Sequence, residues 1–432
     1  MNRRLSSGSG IPSQAVAADV GGAAVATELS PPVLSSWQIF VRFLRFGLLA
    51  WGGPVAQIAM IRRELVDEER WLSSGRFNRL LAVYQVLPGP EAHELCVHIG
   101  MLAGRRLGGF LAGLGFMLPG FLLMFALSWL YFTIDITQSA LGPIFLGVQV
   151  AVIALIVRAV HRIGEHVLLD RWLWGIGIAC GVAAFLGASF WITLPAAGLT
   201  YALARREQIA LVGFVLAVAA AAAFLVGPET GLLQSAISPE QVAPVEGVAA
   251  QQPSPVGIFL SGLKAGLLTF GGAYTVIPFL RDDAVGNGWM TDAQFLDGLA
   301  LSGILPAPLI IFSTFVGYFG GGPLGAIAMT AGIFLPAFGF SLLFYDRLEQ
   351  VVENRSLHSV LEGVAAGVVG LIAATILELA STLVQRLPSL WAGLLIFVAA
   401  LAVLYLWKSK MNVLLAIFGA GFLGWLLYGV FG

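Results

Sequence analysis

Apolar runs long enough to cross a bilayer are interrupted four times in this chain, and the interruptions fall at matching places in its two halves. Gly47-Leu48-Leu49-Ala50-Trp51-Gly52-Gly53 returns as Gly266-Leu267-Leu268-Thr269-Phe270-Gly271-Gly272, and Leu87-Pro88-Gly89-Pro90 returns as Leu305-Pro306-Ala307-Pro308. The match also pairs Arg62 with Arg281, Trp71 with Trp289, Phe77 with Phe295 and Leu118-Pro119 with Leu335-Pro336, with a one-residue gap in two places. A period of roughly half the chain is a duplicated domain, since solenoid repeats run to about 20 to 50 residues. Each Pro removes a backbone donor and clashes with the preceding turn, so a helix must stop or kink there. A stopped helix exposes unpaired N–H groups and the positive end of its dipole. In hydrocarbon this is tolerated only where neighbouring protein or a water-filled cavity satisfies those groups.

Composition says that hydrocarbon is the solvent. Of 432 residues, 58% are hydrophobic and 11% charged, and the mean hydropathy is +0.89; a soluble domain carries about 25% charged residues. The expected fold class is an all-α polytopic membrane protein. Candidate spans are 39–60, 77–104 (broken at Pro88-Gly89-Pro90), 107–132, 141–157, 172–188, 190–204 and 209–226 in the first half. The second half gives 256–280, 295–319 (broken from Pro306 to Pro308), 324–345, 357–379, 391–406 and 411–430. About 13 transmembrane helices result, in two homologous repeats with Gly/Pro-broken helices. Residues 1–36 read as a disordered tail, 37–226 as the N-terminal repeat, 227–255 as an acidic Pro-rich linker and 256–432 as the C-terminal repeat. Cys96 and Cys180 both fall in apolar segments, so neither a disulfide framework nor a metal site is expected.

An odd number of crossings before the linker turns the second half upside down relative to the first. With the N-terminus cytoplasmic, Arg42, Arg45, Arg105, Arg106, Arg158, Arg162, Arg171, Arg205, Arg206, Arg281, Arg347, Arg355, Lys408 and Lys410 lie inside and the acidic linker outside, in accord with the positive-inside rule. Arg62, Arg63, Arg70, Arg76, Arg79 and Arg386 are the exceptions. Inverted repeats with broken helices near the midplane are a construction of secondary transporters. A competing topology makes the Pro-broken segments re-entrant hairpins.

Polar chemistry at membrane depth is sparse. The four breaks, Gly52-Gly53-Pro54, Gly271-Gly272, Pro88-Gly89-Pro90 and Pro306 to Pro308, are candidates to converge into an anion cradle of backbone N–H groups. Valine at Gly53 or Gly272 should block such a cradle, whereas valine at Gly113 or Gly367, in unbroken apolar runs, should be better tolerated. Arg45 and Lys264 precede each Gly-Gly by seven residues, and Arg62 and Arg281 follow it by nine. These four cations are candidate substrate contacts, with snorkelling to the interface as the structural alternative. Glu91, His93 and Glu94 form the densest ionisable cluster and are candidates for a proton relay, helix capping by Glu91 being the structural alternative. His93 and His98 are five residues apart, about 140° around a helix, so the zinc-protease spacing His-Glu-x-x-His fails. With no Walker A motif and no Gly-x-Ser-x-Gly elbow, enzymatic readings have little to stand on. No cofactor is expected.

Phe46-Gly47 through Gly52-Gly53-Pro54, then Arg62-Arg63-Glu64-Leu65-Val66, Trp71 and Tyr84-Gln85-Val86-Leu87-Pro88-Gly89-Pro90, resemble the signature of the chromate ion transporter family. Phe270-Gly271-Gly272-Ala273-Tyr274, Pro278-Phe279-Leu280 and Gly303-Ile304-Leu305-Pro306-Ala307-Pro308 resemble that family's C-terminal motif. The resemblance covers residue 37 to the C-terminus and implies a two-domain transporter exporting chromate across the cell inner membrane, not an enzyme. Sulfate, a near-isosteric tetrahedral oxyanion, is the expected competitor and the alternative substrate. The lipid bilayer and a second copy of the chain, as a homodimer, complete the expected partners; nucleic acid is not among them.

Overall fold

The computed structural model describes residues 31–51, 53–85, 87–134, 141–226, 253–270, 272–343, 355–407, 409 and 411–430. The described residues are helical almost throughout: α1 (Ser36–Leu48), α2 (Gly53–Arg62, prolonged by a π-helical turn Arg63–Glu68), α3 (Ser74–Tyr84), α4 (Glu91–Thr133), α5 (Gly142–Val167), α6 (Arg171–Phe185), α7 (Phe190–Ala204) and α8 (Ile209–Val226). The second half contributes α9 (Pro255–Leu267), α10 (Val276–Ala284), α11 (Asp292–Ile304), α12 (Ser313–Leu343), α13 (Arg355–Arg386), α14 (Leu390–Leu406) and α15 (Asn412–Gly424, prolonged by Trp425–Val430). Among the described residues, five helical stretches are long and apolar enough to cross a membrane: Glu91–Thr133, Gly142–Val167, Leu309–Leu343, His358–Arg386 and Asn412–Val430. Their outward faces carry exposed Leu122, Trp129, Leu324, Leu377 and Phe422. The chain is an all-α polytopic membrane protein.

The breaks reverse the chain instead of kinking it, which corrects the expectation that 39–60, 77–104, 256–280 and 295–319 each run as one span. Were α1 to continue through Gly52-Gly53, Arg45 and Glu64 would be about 28 Å apart at 1.5 Å per residue; they form an ion pair at 3.5 Å. Lys264 and Asp283, at the same separation in sequence in the second half, are likewise paired. Tyr84 and His98 hydrogen-bond at 2.7 Å across the Pro88-Gly89-Pro90 break, and the rings of Phe295 and Phe312 meet at 5.3 Å across the Pro306 break. The four broken segments are therefore helical hairpins. Two glycine reversals set them apart from the long helices: Gly104-Arg105 within α4 and Gly321-Gly322 within α12 leave helical geometry. Beyond each, the helix folds back on itself, so a Cβ built on Gly100 would lie 2.4 Å from that of Ala112.

Side-chain oxygens fix where the arms start. Ser35 and Gln38 form a capping box at α1, and Thr291 and Gln294 form another at α11, each supplying two of the backbone partners a helix N-terminus lacks. Close helix crossings rest on duplicated glycines. A Cβ on Gly47 would sit 2.4 Å from the Phe116 carbonyl oxygen, and one on its counterpart Gly266 would sit 2.5 Å from that of Ile333. In a bilayer, where lipid tails are as apolar as leucine, such backbone proximity is a main source of helix association.

The first-half hairpins and the α4 arm beyond its reversal enclose a core of Ile39, Phe43, Phe46, Trp71, Phe77, Tyr84 and Phe116. A second, larger core joins α5 to α7 with the second half. The two halves meet along α4 and α12, where Gly113 faces Phe338 and Gly109 faces Leu342. These pairs run in opposite directions along the chain, so the two long helices are antiparallel. The same contacts correct the expected tolerance at Gly113, where a Cβ would lie 2.5 Å from the Phe338 ring and 2.6 Å from Val97. Gly367, with Leu194 at 3.0 Å, is also too close-packed to accept valine freely.

Candidate functional site

The hairpin tips come together halfway along the long helices. Gly120 lies about 21 Å beyond the α4 reversal at 1.5 Å per residue, and a Cβ on it would meet that of Ala307, in the Pro306 to Pro308 tip, at 2.7 Å. The repeat-related contact joins Gly89, in the Pro88 to Pro90 tip, to Ala337 at 3.4 Å. The Gly89 N–H donates to the Thr269 carbonyl at 2.8 Å, linking a Pro tip of the first half to the Gly-Gly tip of the second. A Cβ on Gly53, in the remaining tip, would face the Tyr274 hydroxyl at 3.8 Å. Gly53 has φ +77 and Gly272 φ +123, and no atom lies within 4 Å of a Cβ built on Gly272. Pro54 follows Gly53 in the first turn of α2, a position that tolerates a residue without an N–H. Gly52 and Gly271 lie outside the described residues.

Beside this junction sit the polar groups of α4. Glu94 is fully buried, both its carboxylate oxygens lack a hydrogen-bond partner among the described residues, and its Oε1 would lie 2.7 Å from a Cβ on Gly89. His93 is buried with neither ring nitrogen hydrogen-bonded to a side chain among the described residues, its ring 4.9 Å from Phe334 and 4.7 Å from Phe338 of α12. Glu91 occupies the first turn after Pro90 and is also buried. Glu91, His93 and Glu94 are thus gathered at the tip of one hairpin, against the other half of the chain. Leaving such groups unpaired in an apolar setting costs free energy, and structural ones are nearly always satisfied.

The four duplicated cations do not join them. Arg45 pairs with Glu64 along its own hairpin and is exposed, while Lys264 pairs with Asp283, which also accepts from Ser261, and lies 5.3 Å from the Phe190 ring. Arg281 holds Asp292 with Nε and Nη2 at 2.6 and 3.0 Å and also pairs with Glu378 of α13. Arg62 donates to Asn78 at 3.4 Å. Alanine at Lys264 therefore orphans a buried carboxylate, and a loss of activity there reports a broken ion pair before it reports an anion contact. Lys408 and Lys410 lie outside the described residues.

Sequence reasoning missed two groups. Tyr274 has only its place after Gly271-Gly272 to recommend it. Asp297 of α11 is buried and accepts from Tyr131 of α4 at 2.6 Å, Gln149 of α5 and Arg386 of α13 at 3.1 Å. It ties four helices from both halves, and no local pattern marks it, because its partners are remote in sequence.

The arrangement is one of unpaired groups and open glycine backbone at the middle of an apolar bundle, and comparison with known proteins says which bundle it is. A family model described as chromate transporter matches residues 37–228 and again 256–425. The chain belongs to the chromate transporter family. This is a family of membrane transport proteins, not of enzymes. The chromate transport protein of Pseudomonas aeruginosa is 66% identical over 406 residues, covering 93% of this chain and 95% of that protein. The chromate transport protein of Cupriavidus metallidurans is 27% identical over 408 residues, 92% of this chain and 94% of that protein. A probable chromate transport protein of Synechococcus elongatus is 27% identical over 376 residues, 85% and 91% of the two chains. No solved structure matches. The family's two matches coincide with the two halves in which the breaks recur, so the hairpin tips fall inside both.

Proposed function

We propose that this protein is a secondary transporter that exports chromate across the cytoplasmic membrane and confers chromate resistance, with the meeting of the hairpin tips as its substrate site. The observation that carries the reading is the 66% identity, over 93% of this chain, to a chromate transport protein. The open backbone at Gly53 and Gly272 supports a cradle in which N–H groups at hairpin tips hold a tetrahedral oxyanion, as helix N-termini do. Sulfate, with the same shape and charge, competes for it. Glu94, with Glu91 and His93 beside it, takes up and releases the coupling proton. Support for that role comes from its unpartnered oxygens next to Gly89, since an ionisable group without a partner at membrane depth is costly unless used. Chromate uptake into inside-out vesicles is the direct test. Uptake should be stimulated by an imposed pH gradient, inhibited by excess sulfate, and lose its response to the gradient in Glu94→Gln. Vesicles that accumulate no more chromate than protein-free controls would sink the reading.

The membrane topology follows the same line. Nine crossings, namely the long arms of α4 and α12 with α5 to α8 and α13 to α15, and four re-entrant hairpins account for the described residues. The two halves are inverted, with the N-terminus cytoplasmic and the C-terminus outside. The antiparallel contacts between α4 and α12 support inversion, and so does charge. Folding the first hairpins back brings Arg62, Arg63, Arg70, Arg76 and Arg79 to the side of Arg42 and Arg45, removing five exceptions to the positive-inside rule. It leaves Lys264, Arg281 and Arg386 on the outer side, each with a carboxylate partner. With buried Cys96 and Cys180 replaced by alanine, a Ser74→Cys variant should react with a membrane-impermeant maleimide in inside-out vesicles and not in intact cells. A reporter after Gly432 should read as periplasmic. Labelling of Ser74→Cys in intact cells would restore the reading in which 39–60 and 77–104 each cross.

A further inference from the structure

Helix α5 runs to Val167, ten residues past the end expected from its apolar run, and so takes in two arginines that read as loop cations in the sequence. Arg158 and Arg162 are one turn apart on the same face, where like charges repel. Arg158 is half-buried, follows a stretch from Gly147 to Ile156 that is buried throughout, and is about 14 Å from the end of the helix at 1.5 Å per residue. Among the described residues neither guanidinium has an ion pair or a hydrogen bond. Lys264, Arg281 and Arg386 across the bundle are each neutralised by a carboxylate, so the contrast needs a cause. The acidic group nearest in sequence, Glu165, pairs with His161 at 3.8 Å. Within electrostatic reach of Arg158 are Arg162, Tyr274 and Tyr405, and His161 lies against the Tyr405 ring at 5.7 Å. The Tyr274 hydroxyl also has no hydrogen-bond partner among the described residues, and it is the group that faces Gly53 at the tip junction.

We propose that Arg158 and Arg162, with the hydroxyl of Tyr274, form the cytoplasmic-side binding site for the transported divalent oxyanion, which passes from Arg162 to Arg158 and on to the hairpin tips. The site rests on the transport reading above and adds the charge that the tips lack. A dianion seated between two guanidinium groups relieves their repulsion, and arginine's planar fork suits the edge of a tetrahedral oxyanion. The tyrosine hydroxyl then hands it to backbone donors around Gly53. Neither arginine is held by a carboxylate among the described residues, because a fixed carboxylate would compete with the cargo.

The test is chromate uptake into inside-out vesicles at varied chromate concentration, together with the thermal stability of each purified variant. Arg158→Ala should raise KM by at least about tenfold, the weight of one charge-assisted contact, with Arg158→Lys intermediate. Arg162→Ala and Tyr274→Phe should raise it less, and Arg171→Ala, in the first turn of α6, not at all. Because the Arg158 guanidinium has no partner among the described residues, Arg158→Ala should melt no lower than wild type without substrate and should lose the stabilisation that added chromate or sulfate gives the wild type. Wild-type uptake with unchanged KM and unchanged anion stabilisation in Arg158→Ala overturns this site and leaves the transport reading standing. Wild-type vesicles that take up no chromate overturn both.

Discussion

Valine at Gly53 or Gly272 is expected to abolish the proposed chromate export while leaving the protein inserted at normal levels. Both glycines have positive φ, +77 and +123, where a β-branched residue is strained by about 1 to 3 kcal/mol. Neither position is crowded: the nearest atom to a Cβ on Gly53 is the Tyr274 hydroxyl at 3.8 Å, and nothing lies within 4 Å at Gly272. The penalty therefore falls on the tip conformation and on the space in front of it, not on bundle packing. Asparagine, which tolerates the left-handed region, should restore more export at Gly53 than valine does. Suitable comparisons are Gly175→Val and Gly213→Val, on α6 and α8, where a Cβ meets open space within a regular helix. Gly113→Val is unsuitable, because its side chain would collide with Phe338. Chromate efflux from loaded cells, normalised to membrane protein, reads the result. Efflux by Gly53→Val and Gly272→Val above half that of wild type would move the substrate site away from these tips.

The largest expected loss of stability is at Asp297. Replacing it with alanine leaves the part-buried Arg386 without its partner and removes acceptors from Tyr131 and Gln149. Breaking one side of a buried ion pair costs about 3 to 5 kcal/mol, mostly because the remaining charge is uncompensated. The same reasoning makes the second change corrective: Asp297→Ala with Arg386→Met should recover a large part of the loss, since an apolar replacement of both partners is often near neutral. Melting of the detergent-purified protein, followed by loss of monodisperse material on heating, measures both. An unshifted melting curve for Asp297→Ala, or no recovery in the double variant, would mean that the knot contributes little to holding α4, α5, α11 and α13 together.

Much of this was legible in the amino-acid sequence. Hydropathy marked the long arms of α4 and α12 and helices α5 and α13, since the need to bury every backbone polar group in hydrocarbon leaves helices as the economical solution. The recurrence of Gly52-Gly53 at Gly271-Gly272, and of Pro88 to Pro90 at Pro306 to Pro308, located the breaks because Pro and Gly act on the backbone directly, whatever surrounds them. The buried cluster at Glu91, His93 and Glu94 also stood out, ionisable groups being rare in apolar runs. Whether a break bends a helix or turns it back was decided only in three dimensions. That choice depends on whether partners such as Glu64 for Arg45, or Asp283 for Lys264, can reach across, and a local pattern carries no information about reach. For the same reason the duplicated cations looked free in the sequence and are paired in the fold, whereas Arg158 looked like a loop cation and lies inside a helix, unpaired among the described residues. Asp297 and its contacts from Tyr131, Gln149 and Arg386 belong wholly to the tertiary structure, because a hydrogen bond between residues far apart in sequence exists only once the two halves have met.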